Sequence, residues 1–470
     1  MCEYKTTAGI EIHCELKTNS KMFSPSLNSY TIDANTNINE IDFAYPGVLP
    51  TINEKGVCLA LKAALLLNCK INKVMFFDRK NYFYKDLPKG YQITQNRTPI
   101  GVDGYLDIET SEGIKRIRIH DIHIEEDTAK SINHNEKTLL DFNRCGVPLI
   151  EIVSEADIHT KEEAIKYVET LRELFYYADI SDCKIEEGSM RCDVNVSVSK
   201  TDELGVRTET KNVGSITYAG EVVEREALRQ IELLEKGEKV EYATRRYDEK
   251  EKTTYLLRKK ESGNDYRFLP DGDFPPLVLT DEYIERVKAS IKLMPNERRE
   301  IYKKHDIQEI NIEKIIANKK ISDYLHNLEN TNLKIASNLL LGDIQAYLNK
   351  ENKELSDTCL TKEKFERIVK ALENKEITNQ NFKEMLSSLM EEDTNIEELI
   401  KKYKKETLSN DDLIKIIETV VENNPASVTD FKEGRDRAVK FLMGMIMKET
   451  KGTANPKDAN ELLLQTLKKY

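Results

Sequence analysis

Alternating apolar and polar positions dominate the chain up to about Thr280, and Gly- and Pro-rich turns separate the alternating runs. In the run GIEIHCEL, Ile10 and Ile12 alternate with Glu11 and His13. Successive side chains of a β-strand point to opposite faces, so this run predicts a strand with Glu11 and His13 on one face. We therefore expect an antiparallel sheet with one apolar face and one polar, acidic face.

Further predicted strands add carboxylates to this picture. MRCDVNVSV has a clean period of two that presents Asp193, and PLIEIVSEAD presents Glu151. In IRIHDIHIEED the apolar phase slips by one residue, which predicts a bulge or turn before His123, Glu125 and Glu126. Because bulges re-aim side chains, these three residues are candidates for a functional site.

The pattern changes from about Asn296 onward. Lys, Glu, Leu and Ile recur there at intervals of three and four residues, which is typical of amphipathic helices. A polar stretch at 391–410 indicates a junction between helical units. The fold class predicted is α+β, with a sheet-containing domain at 1–294, an all-α domain at 295–405 and a small helical tail at 406–470.

The composition narrows the class of protein. At about 150 residues per domain, 470 residues predict two to four domains. An apolar fraction of 39% with 33% charged residues is typical of a soluble globular chain. The longest apolar stretch, 58–69, is shorter than the roughly 20 residues of a transmembrane helix, and the N-terminus has no apolar signal core. We therefore expect a cytoplasmic protein without membrane contact, whose eight scattered cysteines are reduced.

The net charge of −12 argues against general nucleic-acid coating, because phosphate binding depends on Lys and Arg. The charge is uneven, however. From Phe431 to Tyr470 nine basic residues stand against five acidic ones, a net charge of +4. The C-terminal segment is thus the part of the chain best suited to a polyanion.

The carboxylates on the predicted strands allow two interpretations. Taken singly, each is a solvent-facing residue of an antiparallel sheet. Taken together with His13, they form a set of oxygen and nitrogen ligands suited to Mg²⁺ and, through it, to nucleotide phosphates. The sequence contains no GxxxxGK[ST], GxGxxG, HExxH or GxSxG motif, so P-loop, Rossmann, zincin and serine-hydrolase chemistry lack their usual parts.

A basic and aromatic run, FFDRKNYFYKDLPKGYQITQ, supplies complementary charge. Arg79, Lys80 and Lys89 are candidates to hold phosphates. The aromatic residues between them either stack on a base or pack in the core. Both interpretations stay open from the pattern alone.

At these same residues the chain resembles the B subunits of the aspartyl/glutamyl-tRNA(Asn/Gln) amidotransferases, the GatB family. The resemblance runs in order from Gly9 to the C-terminus. The runs that carry it are GIEIHCELKTNSKMFSPS, FDRKNYFYKDLPKGYQITQ, IHIEEDTAKS, DFNRCGVPLIEIVSEAD, KIEEGSMRCDVNVSV, TETKNVGSI, TRRYDE and NDYRFLP. The C-terminal run FKEGRDRAVKFLMGMIMKETKGTANPKDANELL is similar to the family's YqeY-like module.

This resemblance implies an N-terminal cradle related to the glutamine synthetase catalytic fold, a helical domain and a tRNA-binding tail. It also implies an ATP- and Mg²⁺-dependent ligase that phosphorylates the side chain of Glu-tRNA(Gln) or Asp-tRNA(Asn) and amidates it to Gln-tRNA(Gln) or Asn-tRNA(Asn). Ammonia would come from the A subunit, an amidase that hydrolyses glutamine, and the small C subunit would complete the heterotrimer. The sequence does not distinguish between the two tRNA substrates.

By the same resemblance, His13, Glu126 and Glu151 are expected to hold one Mg²⁺. Glu11, Glu125 and Asp193 are expected to supply a second metal position or to line the ammonia path. Together with His13 they form the expected catalytic set. Arg79 and Lys80 are assigned to the nucleotide phosphates or the acceptor end of tRNA.

The resemblance also bears on zinc. Some relatives carry cysteines where this chain has Phe23-Ser24-Pro25-Ser26 and near 42–49, so no zinc is expected here. Two other functions remain alternatives: a tRNA-binding scaffold without catalysis, and a free-standing ammonia ligase that acts on a small acid.

Overall fold

The structure is a computed structural model that describes residues 4–259, 266–403, 410–432, 437–450, 454 and 456–467. The chain divides into two compact units, Met1–Glu297 and Arg298–Tyr470. All strands of the described residues lie in the first unit, and the second is helical. The α+β class is therefore confirmed, whereas the division into three domains remains a prediction.

The first unit is built on sixteen strands, counted over the described residues. They are β1 Lys5–Glu15, β2 Lys70–Ile71, β3 Val74–Met75, β4 Asp78–Asn81, β5 Tyr91–Thr94, β6 Gly101–Thr110, β7 Gly113–Glu126, β8 Lys130–His134, β9 Lys137–Asp141, β10 Pro148–Ser154, β11 Met190–Ser199, β12 Thr208–Val213, β13 Ala243–Asp248, β14 Thr253–Lys259, β15 Leu269–Pro270 and β16 Leu277–Val278.

Sixteen α-helices accompany them in the same described residues. They are α1 Glu54–Leu66, α2 Lys161–Tyr177, α3 Ile216–Glu235, α4 Asp281–Ala289, α5 Pro295–Lys304, α6 Glu309–Ala317, α7 Lys319–His326, α8 Leu333–Leu339, α9 Gln345–Glu351, α10 Lys362–Glu373, α11 Asn379–Glu391, α12 Ile396–Tyr403, α13 Asn410–Glu422, α14 Pro425–Lys432, α15 Arg437–Glu449 and α16 Pro456–Leu467. A π-helical turn spans Leu340–Ile344 and a 3₁₀ turn spans Leu355–Asp357.

Nine strands form one large sheet in the order β14-β13-β12-β11-β1-β10-β7-β6-β2. Neighbouring strands are antiparallel except β12 and β13, which are parallel and joined through α3. A parallel pair requires such a crossover, because a tight turn reverses the chain direction. In this strand order β1 lies at the centre of the sheet, between β10 and β11.

Helices α1, α2 and α3 pack against the sheet. Ile10, Ile12 and Cys14 of β1 are fully buried in the core. The intervening residues Glu11 and His13 are only partly buried. We call the side of the sheet that carries Glu11 and His13 the open face. The alternation expected for β1 is thus confirmed.

The predicted irregularity in β7 is a β-bulge. Val153 pairs with Asp121 and Ser154 pairs with Ile119, so His120 is the extra residue. A bulge shifts the residues that follow it by one position relative to the partner strand. Because of this shift, His123 lies directly opposite Glu151 on the open face.

The second unit is helical throughout its described residues. Its last four helices, α13 to α16, contact one another and share a core that includes Ile417, Leu442, Ile446 and Leu463. This apolar set explains why the segment holds together as a small bundle. Among the residues described, no helix has both the length and the apolar character needed to cross a bilayer.

Candidate functional site

The open face carries its polar side chains in a row across neighbouring strands. His13 of β1 pairs with Glu151 of β10, and Glu151 pairs in turn with His123 of β7. On the other side of β1, Glu11 pairs with Asp193 of β11. Directly opposite residues on one face have Cβ atoms about 5 Å apart, so their side chains are in reach of one another.

The first cluster consists of His13, His123, Glu125 and Glu151. Its centre is the Oε2 atom of Glu151, which lies 3.1 Å from His123 Nε2 and 3.5 Å from His13 Nε2. Glu125 Oε2 lies 4.0 Å from His13 Nε2. Asp121 Oδ1 lies 2.7 Å from the other ring nitrogen of His123.

Charge pairing dominates the titration of the first cluster. Burial alone would lower the pKa of His123, but its contacts with Asp121, Glu125 and Glu151 raise that pKa well above the usual value. Burial would raise the pKa of Glu151, yet the nearby His13 and His123 hold it well below its usual range. The two imidazoles are therefore the counter-ions of the cluster's carboxylates.

Residues of β4 and β5 also contact the carboxylate of Glu125. Thr94 Oγ1 donates to Glu125 Oε1 at 3.0 Å, and Gln92 Nε2 donates to Oε2 at 3.1 Å. Lys80 Nζ lies 3.8 Å from Oε1. Burial opposes ionisation, but Lys80 and His123 lower the pKa of Glu125 to about 2. Glu125 is thus a carboxylate at neutral pH.

The second cluster consists of Glu11, Asp193, Glu209 and Lys211. Lys211 Nζ lies 2.7 Å from an oxygen of Asp193 and 2.7 Å from an oxygen of Glu209. The backbone N–H of Asn212 donates to the other oxygen of Asp193 at 2.8 Å. One ammonium group therefore bridges two buried carboxylates.

Glu11 has a different environment from the other two carboxylates. Asn195 Nδ2 donates to Glu11 Oε1 at 2.9 Å. Burial raises the pKa of Glu11, and the negative charge of Glu151 raises it further. Positive charge near Glu11 is therefore insufficient to offset its desolvation and its acidic neighbours.

Two sets of ligand atoms lie close enough together to hold a metal ion. The first set is His13, Glu125 and Glu151, and the second is Glu11, Asp193 and Glu209. Within each set, the ligand atoms lie within 4.8 Å of one another. Carboxylate oxygens with a single imidazole suit a hard divalent cation such as Mg²⁺ or Mn²⁺. The open face thus carries two candidate cation sites.

The arrangement changes one expectation from the sequence. The structure brings Glu125, not Glu126, to His13 and Glu151. Adjacent residues of a strand point in opposite directions. The Glu126 carboxylate instead pairs with Lys89 and accepts the backbone N–H of Ile93.

Lys80 and Arg79, the two basic candidates from the sequence, have different contacts in the structure. Lys80 contacts the first cluster through Glu125. The Arg79 guanidinium forms ion pairs with Asp271 and Asp273 and lies over the Tyr91 ring at 4.4 Å. A role for Arg79 at a phosphate stays a prediction, and its present contacts are structural.

Sequence reasoning named His123 as a candidate without assigning it to a ligand set, although it stands two residues before Glu125 and therefore on the same face. It missed Glu209 and Lys211. Glu209 and Lys211 share the same two-residue spacing in TETKNV. Their convergence with Asp193 depends on the pairing of β11 with β12, which the sequence pattern alone does not determine.

Hydrogen bonds join residues 23–26 to the segment at 42–49, the two segments that the sequence analysis considered for zinc. Ser24 Oγ and Ser26 Oγ donate to the two oxygens of Asp42 at 2.7 and 2.6 Å. Lys21 Nζ lies 3.3 Å from Asp42 Oδ2. Polar side chains thus connect the two segments, and the absence of zinc stays a prediction.

The fold and the site define a class: an α+β protein whose central sheet presents two adjacent sets of divalent-cation ligands. The chain matches the family model described as the GatB/GatE catalytic domain over residues 6–285, and the model described as the GatB domain over 319–467. It therefore belongs to the GatB family, as the resemblance of its sequence runs predicted.

Relatives in this family match the chain over nearly its whole length. The B subunit of the aspartyl/glutamyl-tRNA(Asn/Gln) amidotransferase of Ligilactobacillus salivarius is 44% identical over 473 residues, with 99% of each chain covered. The proteins of the same name from Lysinibacillus sphaericus and Bacillus licheniformis are each 43% identical, again with 99% of each chain covered.

Proposed function

We propose that this chain is the B subunit of a glutamine-hydrolysing, ATP-dependent tRNA amidotransferase. In this role it activates the side-chain carboxylate of Glu-tRNA(Gln), Asp-tRNA(Asn) or both, and directs its amidation to Gln-tRNA(Gln) or Asn-tRNA(Asn). The observation that carries the proposal is the pair of cation-ligand sets on the open face. Full-length similarity to the B subunits of such enzymes supports the choice of substrate.

The chemistry explains why the site needs ATP. A carboxylate does not accept ammonia until one of its oxygens becomes a leaving group. An oxygen of the substrate carboxylate attacks the γ-phosphorus, the bond to the β-phosphate oxygen breaks, and ADP leaves. Ammonia then attacks the acyl carbon of the acyl phosphate, inorganic phosphate leaves, and the nitrogen loses a proton to give the amide.

The residues of the open face fit this sequence of steps. His13, Glu125 and Glu151 would hold one Mg²⁺, and Glu11, Asp193 and Glu209 a second. Bound Mg²⁺ would supply charge neutralisation for the phosphates during transfer. In this assignment Glu125 replaces Glu126, because the carboxylate of Glu125 lies close enough to His13 and Glu151 to share one cation with them.

Positively charged side chains supply the rest of the phosphate environment. Lys80 lies beside the first cluster and Lys211 beside the carboxylates of the second. Their ammonium groups pair with carboxylates of the two clusters. We infer that they exchange these contacts for phosphate oxygens when a cation takes over neutralisation of the carboxylates.

The proposal includes partners and location. Ammonia comes from the amidase, which is the A subunit, the small C subunit completes a heterotrimer, and the complex works in the cytoplasm. The cradle of the first unit is related to the glutamine synthetase fold, and the helical tail binds tRNA. These assignments rest on family membership and on the positive charge of the C-terminal segment.

The test uses the reconstituted complex with mischarged tRNA. Glu151→Gln and His13→Ala should keep glutaminase activity and lose ATP-dependent amidation by about a hundredfold or more, because phosphoryl transfer depends on the cation ligands. Glu169→Gln, an exposed change on α2, is the matched control. Undiminished amidation in both site variants contradicts the proposal.

Two outcomes separate this proposal from the alternatives. A complex that binds mischarged tRNA but does not hydrolyse ATP supports a scaffold without catalysis. ATP turnover that is indifferent to tRNA supports a free-standing ammonia ligase. Amidation measured separately with Glu-tRNA(Gln) and Asp-tRNA(Asn) identifies the substrate.

A further inference from the structure

Thr244 of β13 contacts the second cluster from a strand that carries none of its three candidate ligands. Those ligands, Glu11, Asp193 and Glu209, lie on β1, β11 and β12. Thr244 Oγ1 donates to Glu209 Oε2 at 3.2 Å. The other oxygen of the same carboxylate lies 2.7 Å from Lys211 Nζ. Glu209 is therefore contacted by a hydroxyl at one oxygen and by an ammonium at the other.

The hydroxyl of Thr244 needs a partner because the residue is buried. Thr244 is only 2% exposed. A buried hydroxyl is unfavourable unless it forms a hydrogen bond. Valine has nearly the same shape and also favours strands, so valine would satisfy strand packing at this position. The contact with Glu209 is what distinguishes threonine from valine here.

Thr244 faces Glu209 because α3 contacts β12 and β13 from the opposite side of the sheet. The two strands are parallel, with Glu209 directly beside Thr244. Glu226 of α3 accepts the hydroxyl of Thr208 at 2.8 Å and lies 3.1 Å from Arg245 Nε. One buried carboxylate thus contacts both strands, next to the pair formed by Glu209 and Thr244. This contact fixes the register, and a slip of one residue would turn Thr244 to the other face.

The other two carboxylates of the second cluster also accept hydrogen bonds from groups outside the ligand set. Asn195 Nδ2 donates to Glu11, and the backbone N–H of Asn212 donates to Asp193. Groups of this kind fix the orientation of ligating carboxylates, and removing one typically lowers metal affinity about 10- to 100-fold. Thr244 supplies the corresponding hydrogen bond for the third carboxylate.

We propose that Thr244 is a positioning residue of the second cation site. Its hydroxyl fixes the orientation of the Glu209 carboxylate, so that the oxygen paired with Lys211 becomes a cation ligand when Lys211 moves to a phosphate. Thr244 contacts neither cation nor substrate and acts through Glu209. This assignment rests on the proposed function and adds to it a residue on which the affinity of the second site depends.

The test removes the hydroxyl and keeps the shape of the side chain. Thr244→Val lacks the donor, whereas Thr244→Ser retains it. Thr210→Val is the matched control, because Thr210 is also fully buried and, within the described part of the chain, its hydroxyl has no hydrogen-bond partner. Electron paramagnetic resonance of free Mn²⁺ measures binding to the full chain. Each variant is combined with Glu125→Gln, which weakens the first site, so that the tighter remaining site is the second.

We expect Thr244→Val to weaken Mn²⁺ binding at the second site about tenfold, at the lower end of the usual range because 3.2 Å is long for a hydroxyl donor. Thr244→Ser and Thr210→Val should stay within about twofold of the Glu125→Gln parent. Equal affinity in Thr244→Val and the parent overturns the assignment, while the proposed function stands. Equal losses in Thr244→Val and Thr244→Ser also overturn it, because the hydroxyl would then not matter. Wild-type protein that binds no Mn²⁺ contradicts the proposed function itself.

Two further measurements separate positioning from a purely structural role. The thermal unfolding midpoint of Thr244→Val in EDTA should fall by no more than about 4 °C, so the loss of affinity occurs in folded protein. If Thr244→Val does not fold, Thr244→Ala carries the same test, since it also lacks the hydroxyl. In the reconstituted complex, Thr244→Val should raise the Mg²⁺ concentration for half-maximal amidation about tenfold and leave the KM for mischarged tRNA unchanged. A raised KM with an unchanged Mg²⁺ requirement overturns the proposal.

Discussion

The two clusters on the open face balance their charge in different ways. In the first cluster, the imidazoles of His13 and His123 face the carboxylates, and the pKa of Glu151 falls well below its usual range. In the second cluster one ammonium, that of Lys211, serves Asp193 and Glu209. Glu11 lies beside this pair and has a raised pKa.

The difference indicates which cluster depends more on an added cation. The first cluster keeps its carboxylates ionised with protein groups alone. The second has three carboxylates and one ammonium, so a divalent cation relieves more repulsion there. Because the pKa of Glu11 is raised, cation binding at the second cluster also favours loss of any proton that Glu11 carries. Cation binding at the first cluster likewise requires loss of the proton of His13, whose pKa is also raised, so occupancy of both clusters should fall at low pH.

The largest effect is expected on Mn²⁺ affinity, when substitutions of Glu125 and Glu126 are compared. Glu125→Gln removes a ligand of the first cluster and should weaken Mn²⁺ binding about 10- to 100-fold. Glu126→Gln is the matched change on the neighbouring residue, and it should leave Mn²⁺ affinity within about twofold. Electron paramagnetic resonance of free Mn²⁺ measures both. The reverse result would restore Glu126 to the ligand set and remove Glu125.

A smaller effect is expected in the second cluster. Asp193→Asn should raise the Mg²⁺ concentration needed for half-maximal amidation about tenfold, and high Mg²⁺ should restore most of the rate. The amide keeps the hydrogen-bond geometry at Asn212 but removes charge. A lost rate that no Mg²⁺ concentration restores would mean that Asp193 acts on the substrate and not through a cation.

The sequence predicted the sheet face well and its cross-strand neighbours less well. A period of two requires only local backbone geometry, so the common face of Glu11 and His13 followed directly. The choice between Glu125 and Glu126 depends on how the bulge at His120 fixes the register of β7 against β10. Register depends on partners distant in sequence, which a single chain does not reveal.

The same reasoning explains what was missed in the second cluster. Lys211 reaches Asp193 across eighteen residues of sequence, through the pairing of β11 with β12. The pattern of TETKNV is compatible with either face being the functional one. The three-dimensional neighbours, and not the local sequence, identify Lys211 as the counter-ion.

The dependence of the second cluster on Lys211 gives a stability prediction. Lys211→Met removes the ammonium that contacts Asp193 and Glu209 and should lower the free energy of unfolding by roughly 1–3 kcal/mol in EDTA, less than for a fully buried pair because the lysine is partly exposed. Saturating Mg²⁺ should recover much of the loss by binding the folded state. Lys115→Met, which breaks an ion pair with Glu163, is the matched control. A loss that is the same with and without Mg²⁺ would argue against a cation at this cluster.

The smallest effect is a change in the pH dependence of stability that belongs to the first cluster. The folded-state pKa of His123 lies well above its usual value, so the folded protein holds a proton that the unfolded chain releases near pH 6.5. The stabilisation is fully present below about pH 6.5 and is lost as the pH rises through the folded-state pKa. Urea unfolding in EDTA should therefore give a free energy that declines with rising pH above about 6.5. In His123→Asn the slope of the unfolding free energy against pH should be shallower. The difference should be at most the slope that corresponds to about one bound proton, because one titrating group has been removed. An unchanged slope would mean that the imidazole of His123 does not carry the charge that balances Glu151, and the contrast between the two clusters would then rest on His13 alone.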